Sequence, residues 1–377
     1  MRKIILLIFI FFCKTSFTQS DTASRLQISL ITCAPGNELY SIFGHTAIRV
    51  FDSTNGSDVF YNYGTFDFDD PNFLAKFVRG KLLYRLSVDA ANDFFATYQF
   101  EHRTITEQIL QLSATEKNAI QEALLINLSG NNKYYKYDFL FDNCTTRARD
   151  VIKKHSNFTQ VQLVPKGTTF RNMLYVYLDS SGMCWSKLGI DILLGSKIDK
   201  PVTLEQSNFL PDYLMFALDS SNTKSKLIQD KKEYKAYSIN SEFKNNYTPL
   251  ITFSALFLLM LLMSFSKNNV AKKMYHYIST LFIFLTGLLG IVLLFMWFGT
   301  DHNSCSNNYN LLWALPTNLI ALFFINKSND IKKKYFKVAF VLSLLLLATW
   351  FILPQQFNIA LAPFVLMMSF IYRKYSL

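Results

Sequence analysis

The last third of the chain contains five apolar runs in series, which constrain the fold more than any other feature. They begin at Pro249 and are separated by short polar links. A bilayer core needs about 20 predominantly apolar residues per helix. The first two runs approach this length, and the last three are shorter and contain Pro316, Asn318 and Pro363. A buried core helix is the alternative for any one run, but five in series favour a helical membrane domain over residues 249–377. The predicted spans are 249–265, 277–298, 310–326, 338–353 and 358–371.

The polar links between the runs differ in charge. Ten Lys and Arg residues lie in the links after the first and third runs and in the C-terminal tail, and none lies in "GTDHNSCSNNYN" or "PQQFN". Because cytoplasmic links carry the excess of positive charge, we predict a cytoplasmic C-terminus and an external N-terminal domain. Topology thus explains much of the net charge of +11. The N-terminal domain has no Lys/Arg-rich tract, so we expect no nucleic-acid partner.

The N-terminus has the layout of a signal peptide. Two basic residues precede an apolar run of roughly ten residues and a polar segment of small residues, the order that export signals follow. We expect cleavage near Thr18, so that residues 1–18 leave the mature chain together with Cys13. Residues 19–225 then form one exported domain, and segment 226–248, rich in Lys, Asn and Tyr, is predicted to be a linker to the first span.

Short β-branched and aromatic runs predict strands in the first part of the exported domain. "HTAIRVF" and "DVFYNYGTF" flank the turn-rich link "DSTNGSD", a pattern typical of a β-hairpin. Two helices are predicted further along. One is "LSATEKNAIQEALLINL", with Ser113 and Glu116 as a capping box. The other is capped by Asp142 or Asn143 and runs to about His155. We therefore expect an α+β domain followed by a transmembrane bundle.

One cysteine and one histidine occupy positions that suit nucleophilic catalysis. Cys144 falls in the first turn of the second helix, where free backbone N–H groups and the macrodipole favour a thiolate. The N–H of the cysteine or of the next residue can serve as an oxyanion donor. His45 is the candidate base, and Asn62 on the returning strand is the candidate group that orients the imidazole. The sequence does not fix strand register, so Tyr63 or Thr65 can face His45 instead.

Two structural interpretations compete with catalysis. After cleavage the external side holds four cysteines, so Cys144 can also be half of a disulfide in an oxidising compartment. A single histidine is more often structural than catalytic, and His102 and His155 are further candidates. Both alternatives remain open from the sequence.

Four stretches resemble the Lnb family of envelope proteins: "PGNELYSIFGHTAIRV", "NYGTFDFDDPNFLAKFVRGKLLY", "DNCTTRARD" and "TDHNSCSNNYNLLWALPTN". The resemblance covers nearly the whole mature chain and implies a periplasmic domain followed by several membrane helices. It implies lipoprotein N-acylation, in which an acyl chain moves from a phospholipid to the α-amine of a diacylated lipoprotein. His45 is then the base and Cys144 the nucleophile. The order of histidine before cysteine is similar to that of permuted papain-like hydrolases and acyltransferases, the class that contains lecithin:retinol acyltransferase.

Further candidates concern substrate binding. Arg147 follows the cysteine by about one helical turn, and it joins Arg149 and Arg103 as a candidate for binding a lipid phosphate. A solvated helix face is the alternative. His302 and Asn310 lie in a link between spans that we interpret as a rim facing the substrate or docking the domain. We expect no cofactor, and the D-H-x-x-C cluster in this link is too sparse for a metal site, which usually has three or four ligands.

Together these features predict a phospholipid-dependent cysteine acyltransferase. It would be a multi-pass protein of the bacterial inner membrane, with its catalytic domain in the periplasm and a diacylated lipoprotein as acceptor. A thiol enzyme can hold an acyl group as a thioester and pass it to an amine in a second step. A periplasmic papain-like peptidoglycan hydrolase and a non-catalytic membrane scaffold are the alternatives.

Overall fold

The computed structural model describes residues 25–67, 69–225, 227–236, 247–327 and 329–377. The predicted signal peptide lies outside these residues. The N-terminal domain is built on an antiparallel sheet, whose strands are β1 (Leu26–Cys33), β2 (His45–Asp52), β3 (Ser57–Thr65), β4 (Leu83–Ala90), β5 (Ile105–Leu110), β6 (Tyr134–Lys136) and β7 (Ile228–Tyr234). Within the described residues the seven strands lie in the order β6-β4-β3-β2-β1-β5-β7. β1, β2 and β3 are therefore the centre of the sheet.

The predicted hairpin is confirmed as the β2–β3 pair. Ile48 lies opposite Tyr61 and Asp52 opposite Ser57. Gly56 in the connecting turn has φ +69°, a conformation that glycine adopts without a steric penalty. The hairpin places the first residue of β2 and the last residues of β3 at the same end of the sheet.

Different helices cover the two faces of the sheet. On one face Ile48 packs with Ile120 and Ile152, and on the other Phe60 stacks on Phe94 with ring centroids 4.0 Å apart. The helices of this domain are α1 (Phe73–Val78), α2 (Ala91–Phe100), α3 (Ala114–Leu128), α4 (Cys144–His155), α5 (Phe170–Ser180), α6 (Cys184–Leu193) and α7 (Pro211–Ser225). The first face of the sheet therefore carries α3, α4 and α7, and the second carries α2.

The predicted linker 226–248 begins with a strand instead. β7 pairs with the outer edge of β5, from Ile105 opposite Tyr234 to Leu110 opposite Ile228. Its side chains are mostly exposed and charged, as is common on edge strands. The Lys-rich composition of this segment predicted a linker, but its backbone adds an edge strand to the sheet. The sheet domain therefore extends to Tyr234.

The C-terminal part is helical, with α8 (Thr248–Phe265), α9 (Asn269–Phe298), α10 (Asn318–Ala321), α11 (Asp330–Ala348) and α12 (Leu361–Ser376). Within the described residues α8 and α9 are long and apolar enough to cross a membrane. α8 coincides with the first predicted span to within one residue, and α9 contains the second, 277–298, but begins earlier, at Asn269. α11 and α12 overlap the fourth and fifth, each displaced by several residues.

The third predicted span, 310–326, is not a continuous helix. It consists of short helical turns and α10, because Pro316 lacks the N–H that a helix interior requires. The segment also approaches α9 too closely for side chains to intervene. A Cβ on Gly290 would clash with the Ala314 carbonyl oxygen, and one on Gly287 would lie 2.8 Å from the Leu319 nitrogen.

Buried polar contacts join the two parts of the chain. Asp191 of α6 accepts hydrogen bonds at its carboxylate from Arg171 at 2.6 Å and from Asn358 at 2.8 Å. Asn310 donates to the Asp191 backbone carbonyl at 2.9 Å. Asn358 and Asn310 belong to the links on either side of α10 and α11, so the N-terminal domain rests directly on the membrane domain.

Candidate active site

The site begins at the start of α4. Asn143 is the N-cap, and its Oδ1 accepts hydrogen bonds from the backbone N–H groups of Thr145 at 2.8 Å and Thr146 at 2.9 Å. This leaves Cys144 as the first helical residue, as predicted. Because the cap occupies the Thr145 N–H, the Cys144 N–H is the candidate oxyanion donor of this turn.

His45 and Asn62 meet across the hairpin. The Nε2–H of His45 donates to Asn62 Oδ1 at 3.1 Å, while Asn62 Nδ2 donates to Asp89 Oδ2 at 2.8 Å. Since the amide nitrogen is held by Asp89, the amide oxygen points at the imidazole. The Asn62 contact on Nε2 leaves Nδ1 of His45 for the thiol.

Cys144 and His45 perturb each other's ionisation. Burial, the largest influence on Cys144, favours the neutral thiol. The positive charge of His45, its hydrogen bond to the sulfur, and hydrogen bonds from the Thr46 backbone and the Thr145 hydroxyl together outweigh burial and lower the pKa of Cys144. Burial also disfavours imidazolium, but the thiolate charge and the hydrogen bonds to Cys144 and Asn62 raise the pKa of His45. The arrangement favours a thiolate–imidazolium pair.

A β-bulge at the end of β3 lies beside Cys144. β3 and β4 change register between Asn62 and Thr65, and Gly64 inside this bulge has φ +94°. A Cβ on Gly64 would lie 3.8 Å from the Cys144 Cβ. The missing side chain thus leaves room at the end of β3, where the thiol of α4 approaches the His45 imidazole.

A cleft of about 200 Å³ opens beside the imidazole. His45, Asn62, Asp89 and Tyr98 line it, and the Tyr98 ring stacks on the imidazole with centroids 6.5 Å apart. Burial raises the pKa of Asp89, and the nearby His45 charge partly opposes this effect. Asp89 was not foreseen, because it reaches Asn62 through the pairing of β3 with β4, in which Asp89 lies opposite Phe60, and this pairing has no local signal in the sequence.

The alternative partners for His45 are engaged elsewhere. The Tyr63 hydroxyl accepts from Asn127 at 2.8 Å, and the Thr65 hydroxyl bonds to Ser87 at 2.7 Å. His155 ends α4, roughly 16 Å along the helix axis from its first residue. Among the residues proposed from the sequence, the structure therefore brings Cys144, His45 and Asn62 together.

Cys144 carries a free thiol. In the described part of the chain Cys33 and Cys305 are free thiols as well. Cys33 is buried beneath Tyr98, and burial raises the pKa of its thiol to about 12. The disulfide interpretation of Cys144 is therefore not supported, and the low-pKa thiol is the one beside His45.

The three candidate arginines make internal ion pairs. Arg147 binds Asp142 through two hydrogen bonds of 2.6 and 2.7 Å. Arg149 is buried and donates to the Glu205 carbonyl at 2.8 Å. Arg103 is 7% exposed and donates to the Ala34 carbonyl at 2.8 Å and to Glu101 at 2.7 Å. These contacts give all three a structural role, and none extends free into the cleft.

The two candidates in the link between α9 and α10, residues 299–317, contact the N-terminal domain. We call this segment the outer link. His302 Nε2 bonds to the Phe77 carbonyl oxygen at 3.0 Å. Asn310 is fully buried, its Nδ2 donates to the Asp191 carbonyl, and its Oδ1 accepts from the Trp313 indole at 2.9 Å. The sequence left two interpretations of this link, substrate contact and domain docking. The buried contacts of Asn310 fit docking.

Two family models match the chain. The Lnb N-terminal periplasmic domain matches residues 14–175, and the Lnb transmembrane domain matches residues 239–375. The first range contains Cys144, His45 and Asn62, and the second contains the helices from α8 onward. No curated protein and no solved structure matches.

Proposed function

Because the chain belongs to the Lnb family, we propose that it is a phospholipid-dependent N-acyltransferase that modifies diacylated lipoproteins through a thioester on Cys144. The family assignment makes it an inner-membrane protein with a periplasmic N-terminal domain, and its name points to lipoprotein N-acylation. The observation that carries the proposal is the mutual perturbation of Cys144 and His45, which favours a thiolate beside an imidazolium.

In the first step the Cys144 thiolate attacks the ester carbonyl carbon of a phospholipid. The Cys144 N–H faces the developing oxyanion. The ester C–O bond breaks, and the leaving lysophospholipid oxygen takes a proton from His45 Nδ1. Asn62 keeps the imidazole oriented through Nε2. The products are a thioester, a lysophospholipid and a neutral imidazole.

In the second step the α-amine of the lipoprotein's lipidated N-terminal cysteine attacks the thioester. The neutral His45 imidazole accepts the amine proton, the C–S bond breaks, and an amide forms. This regenerates the thiolate and the imidazolium. One acyl group has then moved from an ester to an amine, and two moderate barriers replace one high barrier.

Water competes with the amine for the thioester, so the site must be sheltered. Lys136, on the segment that leads toward Cys144, is ion-paired with Asp301 of the outer link at 2.9 Å. His302 of the same link contacts α1. These contacts hold the thiol-bearing side of the domain close to the membrane domain, which supports a lipid substrate over a distant wall polymer.

The test is the intact mass of a reporter lipoprotein's N-terminal peptide from cells that carry each variant as the sole copy. Wild type should give the triacylated peptide, and Cys144→Ser and His45→Ala the diacylated one. Cys184→Ser and His155→Ala are matched controls on the same domain and should resemble wild type. Membrane levels of each variant are measured alongside.

Equal peptide masses in all five strains would refute the proposal. If the muropeptide profile then changed in Cys144→Ser cells, a peptidoglycan hydrolase of the same thiol chemistry would take its place. An unchanged muropeptide profile together with unchanged lipoproteins would favour the non-catalytic scaffold.

A further inference from the structure

The short helix α1 presents apolar side chains outward. Leu74 is 71% exposed, Phe77 48% and Val78 38%, and no residue of α1 is buried. We call these three side chains the α1 surface. Clustered apolar side chains at the surface of a water-soluble domain commonly mark an interaction site.

The α1 surface sits beside the outer end of a membrane helix. The Asp301 N–H donates to the Arg79 carbonyl at 2.9 Å, directly after α1. Gly80 lies against the same residue, because a Cβ there would be 3.2 Å from the Asp301 carbonyl carbon. Asp301 follows Phe298, the last residue of α9, by three positions, and Phe298 is 73% exposed. The α1 surface therefore continues the apolar surface of α9 where that helix leaves the bilayer.

Basic residues border the α1 surface. Lys76 lies within α1, and Arg79 and Lys81 follow it, all three exposed. Lys76 is paired with Asp70 at 2.6 Å, whereas Arg79 and Lys81 lie near Asp301, in the link that follows α9. Apolar side chains flanked by cations are typical of a segment that lies in the headgroup region of a bilayer.

A row of aromatic rings leads from this surface toward the nucleophile. Successive ring centroids are 6.0, 5.7, 5.1 and 4.4 Å apart, along Phe77, Phe73, Phe66, Tyr84 and Tyr137. These distances are those of rings in direct contact. The row therefore has no gap between α1 and the interior of the domain.

The last ring of the row reaches the bulge beside the thiol. A Cβ on Gly64 would lie 3.6 Å from Tyr137 Cε2 and 3.8 Å from the Cys144 Cβ. Burial is the main cause that raises the pKa of Tyr137, and the Cys144 charge is the next. The aromatic row thus joins an exposed apolar surface at the membrane to the immediate surroundings of the sulfur.

We propose that the α1 surface is seated in the periplasmic leaflet and is the place where a phospholipid acyl chain leaves the bilayer, to follow the aromatic row to Cys144. The inference rests on the proposed acyl transfer for its second half. Its first half, the contact of α1 with phospholipid, stands independently of any chemistry at the thiol.

The first half is tested by photo-crosslinking. Benzoylphenylalanine replaces Leu74 in the full chain carrying Cys144→Ser, reconstituted in nanodiscs of phosphatidylethanolamine and phosphatidylglycerol. The matched control replaces Thr54, exposed in the turn at the opposite end of β3, roughly 30 Å along the strand. We expect phospholipid adducts at position 74 and not at position 54. Absence of adducts at 74, or equal yields at both positions, would overturn membrane contact.

The second half is tested by comparing two acyl donors. Rates of Cys144 acylation are measured with nanodisc phospholipid and with a water-soluble p-nitrophenyl butyrate, in wild type and in the Leu74→Ser/Val78→Ser variant. The ratio of the phospholipid rate to the butyrate rate should fall at least about tenfold, because the variant loses two of the three apolar side chains of the α1 surface. An unchanged ratio would overturn the route along α1. A wild-type protein that uses neither donor would refute acyl transfer itself, while the adduct at position 74 would still decide membrane contact.

Discussion

The Asn62→Ala variant tests whether the imidazole is held by the hydrogen bond across the hairpin. This bond joins a charged donor to an amide oxygen over 3.1 Å. A hydrogen bond to a charged group contributes about 1.5–3 kcal/mol. Since about 1.4 kcal/mol corresponds to a factor of ten, loss of the bond should slow Cys144 acylation by about one to two orders of magnitude.

The pH dependence adds a second readout. The thiolate–imidazolium pair exists between the pKa of Cys144, which is lowered, and the pKa of His45, which is raised. Removing the Asn62 acceptor disfavours imidazolium. The pKa of His45 should then fall, and that of Cys144 should rise because its counter-charge weakens. The active pH range therefore contracts at both ends.

The assay is stopped-flow acylation by p-nitrophenyl butyrate across a pH series. Asn127→Ala is the matched control, because it removes an amide hydrogen bond of 2.8 Å from the neighbouring residue Tyr63 on the other face of β3. If Asn62→Ala and Asn127→Ala gave the same rate and the same pH range, Asn62 would not be the orienting group.

The ionisation of Cys144 and the stability of the domain junction can each be tested by one substitution. Iodoacetamide should alkylate native Cys144 with a pH midpoint below the ordinary thiol pKa of 9.0, as read by mass spectrometry of the labelled peptide. His45→Ala should move this midpoint to higher pH, since imidazolium is the main stabiliser of the thiolate. A midpoint that does not move would contradict the pairing of Cys144 with His45. Asn310→Ala removes one hydrogen-bond partner of the Asp191 backbone carbonyl and the hydrogen-bond acceptor of the Trp313 indole. Each unsatisfied buried group costs about 1–3 kcal/mol, so the midpoint of thermal unfolding in detergent should drop by at least about 3 °C. The control Asn303→Ala changes an exposed side chain of the same link and should leave the midpoint in place. Equal midpoints for the two variants would show that the Asn310 contacts do not stabilise the domain junction.

The features that could be predicted from the sequence are those with a local signal. The capping box of Ser113 and Glu116 is present in the structure, and so is the cap at Asn143 that makes Cys144 the first residue of its helix. The hairpin turn predicted the β2–β3 pairing, although it left Asn62, Tyr63 and Thr65 as alternatives for the residue that faces His45. Caps and turns are determined by neighbouring residues, which a single sequence displays.

Features that depend on long-range contacts could not be predicted in the same way. Asp89 reaches Asn62 only through the pairing of β3 with β4, where it lies opposite Phe60. Arg103 and Arg147 bind internal carboxylates, and a basic side chain looks the same in a sequence whether its partner is a carboxylate or a lipid phosphate. The broken third span depends on the approach of Gly290 to Ala314, 24 residues away in the chain.

The junction between the two domains bears on how the protein matures. Asp191 and Arg171 are synthesised and exported before the last links are made, yet one partner of the Asp191 carboxylate is Asn358, just before α12. Until that link emerges on the periplasmic side, the buried carboxylate lacks one of its hydrogen bonds. A chain whose final helices fail to insert therefore lacks this contact between the N-terminal domain and the membrane domain, and complete membrane insertion becomes a condition for a fully hydrogen-bonded junction.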